Sequence, residues 1–395
     1  MRIVILSSCY PPLIRGGAEI STKALAEGFY QAGNDVLSIS FDKKESSDII
    51  DGVNVLRLKP DKSYSIFYND VNVVDKFLWR IREEYNSILA SQLLDKILSF
   101  KPDVVITSTI EDVSTYLWRM LRQNKIKSVV VLRSYYLMCL NGALFVDGKN
   151  CNESRCRKCR IFNVNKKKMS QYPDAVVGIS SFVLNEHLKH GYFNSSLKAI
   201  IPNICFDSEM VVKFNSDVGL VKNFNRDLIT LGYLGRIHPT KGIDELIKAI
   251  SKSTNCNLKL LIAGDGEVEY IEKLISLATD KKVDIEFLGY VESNSFIQSV
   301  DYLVVPSVWR EPFGRIIIES YINKTPVIAC SSGGITELVN ESTGFLYNNI
   351  NELISVLSNL PEPKAFDFKS IYEFESKNII HKWNNLFNDI GLKRL

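Results

Sequence analysis

Val305-Pro306-Ser307-Val308-Trp309-Arg310-Glu311-Pro312-Phe313-Gly314-Arg315, running on into Ile316-Ile317-Ile318-Glu319, reads as strand end, loop and helix start. The apolar run Tyr302–Val305 supplies the strand. Pro312 favours a helix start nearby, so Phe313, Gly314 and Arg315 should offer backbone N–H groups of the kind that attract phosphate. Glu311 and Glu319 stand eight residues apart, which on a helix leaves them about 80° apart around the axis. They do not converge as an acid/base pair. They can instead accept hydroxyl hydrogen bonds from two parts of one long ligand, the plain alternative being two solvated glutamates on a surface helix.

The same strand-then-helix unit recurs on both sides of this segment. Upstream, strands are expected at Ile3–Leu6, Val36–Ser40, Val53–Leu58, Val104–Thr107, Val129–Leu132, Ala175–Ile179 and Lys198–Ile201. Helical pattern covers Ala18–Ala32, Asp75–Phe100 and Glu111–Gln123. In the second half come strands at Thr230–Leu234, Leu258–Ala263, Ile285–Leu288 and Val327–Ala329, with helices at Ile243–Ser253 and Val268–Ala278. Apolar strands separated by helices imply parallel sheets covered on both faces. Too many strands are present for one sheet, and the pattern pauses between Pro202 and Asp227. The expectation is an α/β protein of two doubly wound, Rossmann-like domains facing across a cleft, split as residues 1–203 and 204–369. A terminal helix in 370–395 should pack back across them. Ligands should sit beyond the carboxyl ends of the strands.

Composition narrows the function. Of 395 residues, 46% are hydrophobic and 24% charged, which excludes global disorder and permits a large core. Forty-eight Lys+Arg against 45 Asp+Glu leave a formal charge of +3, too balanced for nucleic acid to be the partner. No apolar run approaches the ~18 residues of a membrane span. Ile3–Leu6 is followed at once by Ser7-Ser8-Cys9-Tyr10-Pro11-Pro12, far short of a signal-peptide core. A cytoplasmic protein is expected, touching the inner membrane face at most.

Other loops add cations and glycines at strand ends. Gly235-Arg236-Ile237-His238-Pro239-Thr240-Lys241-Gly242 puts one Arg and one Lys five apart at the mouth of the second sheet. A planar guanidinium and a compact ammonium suit a diphosphate, although a solvated basic loop looks the same. Gly264-Asp265-Gly266-Glu267 allows close backbone approach but lacks the third glycine of a dinucleotide fingerprint. Ser332-Gly333-Gly334 and Gly16-Gly17-Ala18-Glu19 each open a helix, one per domain.

Tyr10-Pro11-Pro12 with Gly16-Gly17-Ala18-Glu19, Pro202-Asn203, Gly235-Arg236 with Lys241-Gly242, Gly264-Asp265-Gly266-Glu267, Phe287-Leu288-Gly289-Tyr290-Val291, Glu311-Pro312-Phe313-Gly314 with Glu319, and Gly333-Gly334-Ile335-Thr336-Glu337-Leu338-Val339 occur in that order. Together they resemble the retaining GT-B glycosyltransferases of family 4, densely from Thr230 to Leu346 and more thinly before. The resemblance implies transfer of a sugar from a UDP- or GDP-sugar to a saccharide or polyprenyl-diphosphate-linked acceptor, in surface polysaccharide synthesis. It implies that Arg236 and Lys241 neutralise the departing diphosphate and that Glu311 holds hydroxyls of the transferred sugar. Phe313, Gly314 and Arg315 would touch sugar or phosphate, and Glu319 the ribose. Gly16, Gly17, Gly235 and Gly264 would let backbone approach the donor. No catalytic metal is expected. A sugar-nucleotide epimerase of the same architecture and a silent sugar-nucleotide-binding subunit are the alternatives.

One departure stands out. Many relatives with a cysteine cluster carry a His-Asp pair ahead of an aromatic pair, where this chain reads Leu132-Arg133-Ser134-Tyr135-Tyr136. Arg133 cannot act as a base; either it hydrogen-bonds the donor or activity is altered. His187, His190, His238 and His381 read as surface or loop residues and offer no substitute. Cys139, Cys151, Cys156 and Cys159 lie in an insertion at about 139–168. Four thiolates suit a structural zinc, with an iron–sulfur cluster or simple reduced thiols as alternatives. In the resembling subset such a cluster staples a loop near the acceptor side. Arg155, Arg157, Lys158, Arg160, Lys166, Lys167 and Lys168 follow without an acid, a solvated loop or a peripheral contact with anionic lipid.

Overall fold

The computed structural model describes residues 1–59, 86–111, 113–146, 148–151, 156–207, 209–210, 228–255, 257–363 and 366–392. It divides into two compact units. The first comprises Met1–Leu144, Cys151–Cys205 and Phe374–Leu395; the second comprises Phe145–Asn150 and Phe206–Glu373. Residues 75–85 of an expected helix, Arg155, Cys256 and most of the aperiodic interval before Asp227 lie outside the described residues.

In the first unit, strands β1 (Arg2–Leu6), β2 (Asp35–Phe41), β3 (Ser46–Ile50), β4 (Val53–Leu58), β5 (Val104–Thr107) and β6 (Lys127–Leu132) come first. A small hairpin, β7 (Phe145–Val146) and β8 (Lys149–Asn150), groups with the second unit. Strands β9 (Ala175–Gly178) and β10 (Leu197–Ile200) complete the first sheet, whose order is β10-β9-β6-β5-β1-β2-β4-β3. All pairings are parallel except β3 with β4. The strand order reverses at β1, between β2 on one side and β5 on the other. That is the switch point at which such sheets open a crevice.

The second sheet holds β11 (Ile229–Leu234), β12 (Leu258–Ala263), β13 (Asp284–Gly289), β14 (Tyr302–Val305), β15 (Val327–Cys330) and β16 (Gly344–Tyr347). Its order β13-β12-β11-β14-β15-β16 is parallel throughout and reverses at β11. Its core is continuous, from Leu231, Leu260 and Ile262 on the strands to Leu246, Ile247, Leu353 and Leu357 on the helices.

The sequence pattern missed β3, the hairpin and β16. Strand β3 reads Ser46-Ser47-Asp48 and is exposed along most of its length, so no apolar alternation marks it. As a charged edge strand it blunts further pairing. Asp48 pairs with the buried Arg57 guanidinium of β4, which also donates to the Pro11 carbonyl oxygen at 2.9 Å. The helix expected from Glu111 begins only at Tyr116. Ser8 hydrogen-bonds the Glu111 carbonyl and Ser134 its carboxylate, holding residue 111 in a loop after β5.

The last helix, Ser376–Asp389, belongs to the first unit. It buries Ile379, Ile380, Trp383, Leu386 and Phe387, an i, i+3, i+4 stripe. Trp383 and Phe387 meet Phe29 of the helix Gly17–Gln31, with ring centroids 5.7 and 5.6 Å away. Gly28 makes the approach possible, because a Cβ there would come within 2.9 Å of Ile204 and 3.1 Å of Ile380. Trp383 is 2% exposed. Trp383→Ala is expected to cost about 3–5 kcal/mol, read as a lower denaturant midpoint for the first unit's transition in urea unfolding.

Candidate functional site

Four loops leave the carboxyl ends of β11, β12, β14 and β15, and their backbones are hydrogen-bonded to one another. Gly235 N–H donates to Ala263 O at 3.0 Å and Ile237 N–H to Asp265 O at 2.7 Å, joining the loops after β11 and β12. Val308 N–H donates to Thr240 O at 3.1 Å, joining those after β11 and β14. Gly334 N–H donates to Glu311 O at 2.7 Å, joining those after β14 and β15. Two of the expected glycines fit because nothing else would. A Cβ on Gly264, at φ +129°, would stand 2.0 Å from Gly235 O, and one on Gly333 would stand 2.3 Å from Glu311 O.

Glu311 is the junction of this network. Its Oε1 accepts from Lys241 Nζ at 2.5 Å, from Ser307 Oγ at 2.8 Å and from Trp309 Nε1 at 2.8 Å. The ammonium also lies 5.3 Å from the Trp309 ring centroid. Lys241 ends a short turn, Pro239–Lys241, capped by the His238 ring. Burial first, then the Arg236 and Lys241 cations, hold His238 below the usual imidazole range. Arg236 is exposed, and its backbone carbonyl is fixed by the buried Tyr233 hydroxyl at 2.7 Å. Burial and the Glu311 carboxylate push the Tyr233 phenol far up, so it stays a neutral donor.

The helix after β14 starts at Arg315, with Gly314 as its left-handed cap at φ +119°. Glu311 therefore precedes the helix, and the 80° spacing expected between two glutamates on one helix does not apply. Glu319 accepts from Arg315 Nε at 2.8 Å, while Phe313 is buried. Two carboxylates are thus each matched by a cation: Lys241 with Glu311 and Arg315 with Glu319. Among the described residues the Arg236 guanidinium has no ion-pair partner. Ser307, Trp309 and Tyr233 were not singled out from the sequence. The first two stand four and two residues before Glu311, a spacing that marks nothing by itself. Asn150 of the hairpin was also missed; its side chain donates to Val308 O at 2.8 Å and accepts from Arg310 N–H at 3.1 Å.

The remaining expected site residues lie in the first unit. Gly17 opens the helix Gly17–Gln31, and Gly16 N–H donates to Glu19 Oε2 at 2.9 Å. Arg133 donates to Ser108 Oγ at 2.9 Å and also to Asn203 Oδ1. It lines a cavity of about 200 Å³ with Ser8, Glu19, Glu111 and Ser134. His187 is fully buried against Tyr135, Tyr192 and Phe193, a core position and not the surface one expected.

The four clustered cysteines are all described. Leu144 N–H donates to Cys139 Sγ at 3.3 Å, Leu140 N–H to Cys159 Sγ at 3.4 Å and Cys159 N–H to Cys156 Sγ at 3.4 Å. Burial pushes the Cys159 thiol up to about 12, whereas the Cys159 amide lowers Cys156. Among the described residues no three His, Cys, Asp or Glu side chains are gathered as a metal ion requires. Cys139 and Cys159 are buried, and Cys156 is exposed. Of the basic flank, Lys166 is also misplaced by the sequence reading. It is 3% exposed and sits 4.0 Å above the Tyr136 ring.

Known proteins carry the same pattern. The family described as glycosyl transferases group 1 matches residues 221–357. An uncharacterized 42.6 kDa protein in the cps region of Klebsiella pneumoniae is 30% identical over 343 residues, 86% of this chain and 87% of that protein. The capsular polysaccharide biosynthesis glycosyltransferase CapM of Staphylococcus aureus is 31% identical over 177 residues, 41% of this chain and 46% of CapM. Among solved structures, Anabaena HepE in complex with UDP and glucose superposes with a TM-score of 0.68 at 17% identity, covering 98% of this chain and all of that one. Sucrose-phosphate synthase from Thermosynechococcus elongatus gives 0.69 at 18% identity, covering 98% of each chain. The α/β fold with Rossmann-like parallel sheets is that of the GT-B glycosyltransferases. From its strand-end loops and its relatives, this chain is a member of the glycosyl transferases group 1 family.

Proposed function

We propose that the protein is a retaining hexosyltransferase that moves a sugar from a UDP- or GDP-sugar to a saccharide or lipid-linked saccharide in surface polysaccharide synthesis. The observation that carries this is the Lys241–Glu311 pair with the exposed Arg236 guanidinium on the same loop, among loops held in place by backbone hydrogen bonds. Positive groups placed in advance stabilise charge that grows on a leaving group. As the bond between the anomeric carbon and the β-phosphate oxygen breaks, Arg236 and Lys241 meet the developing negative charge. The acceptor oxygen forms its bond on the same face, and its proton passes to the departing phosphate oxygen. Glu311 orients hydroxyls of the transferred sugar while keeping Lys241 in place. Glu319, steadied by Arg315, receives the ribose hydroxyls.

HepE is seen in complex with UDP and glucose, and CapM is a capsular polysaccharide biosynthesis glycosyltransferase. Both support a nucleotide-sugar donor and a polysaccharide setting here. A ligand that binds only the folded state at a hundredfold excess over Kd adds about 2.7 kcal/mol of stability. UDP or GDP is therefore expected to raise the melting temperature, and Arg236→Ala, Lys241→Ala and Glu311→Ala to abolish most of that rise and all donor turnover. The first product should keep the donor's anomeric configuration by NMR. Donor binding without turnover, with any acceptor, would favour the silent-subunit reading instead.

The depressed His238 gives a second readout. A bound diphosphate cancels the Arg236 and Lys241 cations that help keep this ring neutral. Nucleotide binding is therefore expected to raise the His238 pKa, followed by imidazole shifts in a pH titration. A pKa that stays put or falls with UDP bound would remove the diphosphate from this loop.

We also propose peripheral membrane contact through the helices Arg157–Phe162 and Val164–Met169. Arg157, Lys158, Arg160, Lys167 and Lys168 are exposed there, interleaved with Ile161 at 68% and Val164 at 61% exposure. Cations beside exposed apolar side chains suit an anionic lipid surface. No helix among the described residues is long and apolar enough to cross a membrane. The protein is expected to cosediment with phosphatidylglycerol vesicles and not with phosphatidylcholine ones, and Arg157→Glu with Lys168→Glu should release it. Equal binding to both lipids would sink the electrostatic part of this reading.

A further inference from the structure

The loop after β14 carries Trp309 and Glu311, and its backbone is held by neighbours within the second unit. Val308 N–H donates to Thr240 O at 3.1 Å, the Trp309 carbonyl accepts from Ser332 Oγ at 2.7 Å, and Gly334 N–H donates to Glu311 O at 2.7 Å. Those anchors come from the loops after β11 and β15. Two further anchors come from one side chain, Asn150 of the hairpin, which groups with the second unit. Its Nδ2 donates to Val308 O at 2.8 Å and its Oδ1 accepts from Arg310 N–H at 3.1 Å. The donor chemistry proposed above makes no use of this amide.

The side chain suits the place chemically. A carbonyl oxygen and an N–H two residues apart need one donor and one acceptor, and a primary amide carries both. A carboxylate of the same shape would set an oxygen against Val308 O, and alanine would offer neither group. The hairpin fixes where the amide stands. Strands β7 and β8 pair Phe145 with Asn150 and Val146 with Lys149. Gly148, at φ +76°, lies in the two-residue connection between them, where tight hairpin turns call for positive φ. Cys151 N–H donates to Leu144 O at 2.7 Å and closes the base. Gly148 and Lys149 are exposed, whereas Asn150 is half-buried.

The two Asn150 bonds bracket Trp309, one residue before it and one after. Trp309 in turn donates from Nε1 to Glu311 Oε1 at 2.8 Å, and its ring centroid lies 5.3 Å from the Lys241 ammonium. Pinning the backbone on both sides of Trp309 sets where the indole stands, and the indole sets the carboxylate that holds Lys241.

We infer that Asn150 is a positioning residue: it fixes the Trp309 backbone so that the indole holds the Glu311–Lys241 pair in one geometry. Its effect on turnover rests on the transferase reading; its effect on the indole does not. A misplacement of ~1 Å can slow a reaction about a hundredfold, so losing two hydrogen bonds away from the reacting atoms is enough to matter.

The test uses the full chain with ¹⁵N-labelled tryptophan, the Trp309 indole resonance being identified by its loss in Trp309→Phe. Asn150→Ala is expected to shift that resonance and speed its exchange with water, while the Trp118 and Trp383 indoles stay where they are. Turnover is followed as nucleotide release from UDP-glucose, UDP-galactose, UDP-N-acetylglucosamine and GDP-mannose. Asn150→Ala should lower kcat about tenfold and leave the donor KM within about threefold, a loss confined to the transition state. Asn150→Asp should match it and serves where the alanine variant does not fold. A purely structural role would lower the melting temperature without this split. An unmoved Trp309 indole in the folded variants, or a shifted indole with wild-type kcat, overturns the inference. If the wild-type chain releases nucleotide from none of the four donors, the transferase reading fails by itself, and the indole response still decides whether Asn150 positions the pair.

Discussion

One carboxylate oxygen organises the second unit: Glu311 Oε1, on which an ammonium, an indole N–H and a hydroxyl converge. The side chains of Lys241 and Glu311 are 22% and 13% exposed, so both charges are largely withdrawn from water. A pair in that setting recovers its desolvation cost only with good geometry and further hydrogen bonds. Ser307 and Trp309 supply those bonds. Net stabilisation is a poor explanation for keeping such a pair, since apolar groups of similar volume often do as well. What apolar groups cannot do is hold an ammonium at a fixed point on a strand-end loop. The pair is best understood as a positioning device.

The surrounding backbone serves the same end. Hydrogen bonds running from the β12 loop to β11, from β11 to β14 and from β14 to β15 leave these turns little freedom to relax. Gly264 and Gly333 are required where two of those turns meet, because side chains would collide with facing carbonyls. Fixed donors are worth more to a charged transition state than mobile ones, since no reorganisation is needed when charge develops. The loops therefore have little freedom in sequence or in conformation.

Much of this was legible in the amino-acid order. The buried strands of both sheets announce themselves through continuous Val, Ile and Leu, and the glycine and cation loops follow them at once. What escaped detection has a common cause: the information lay in three-dimensional neighbours and not in periodicity. Strand β3 is polar because it is an edge tied by Asp48 to Arg57. Glu111 looked like the start of an amphipathic helix until Ser8 and Ser134, far away in sequence, held it in a loop. Lys166 sat inside a run of cations, but its ammonium lies on Tyr136. His187 gave no hint of burial, because a histidine among ordinary helical residues carries none.

The two units use one topological solution with different charges at their strand ends. Each sheet reverses its strand order at its first strand, β1 or β11, and each presents its polar loops at the carboxyl ends beside that reversal. In the second unit Glu311 is matched by Lys241 and Glu319 by Arg315, and Arg236 has no ion-pair partner among the described residues. In the first unit two arginines face two glutamates, and the balance is zero. One strand-end plan thus carries two loop chemistries, because the charges sit on the loops and not on the strands that hold them.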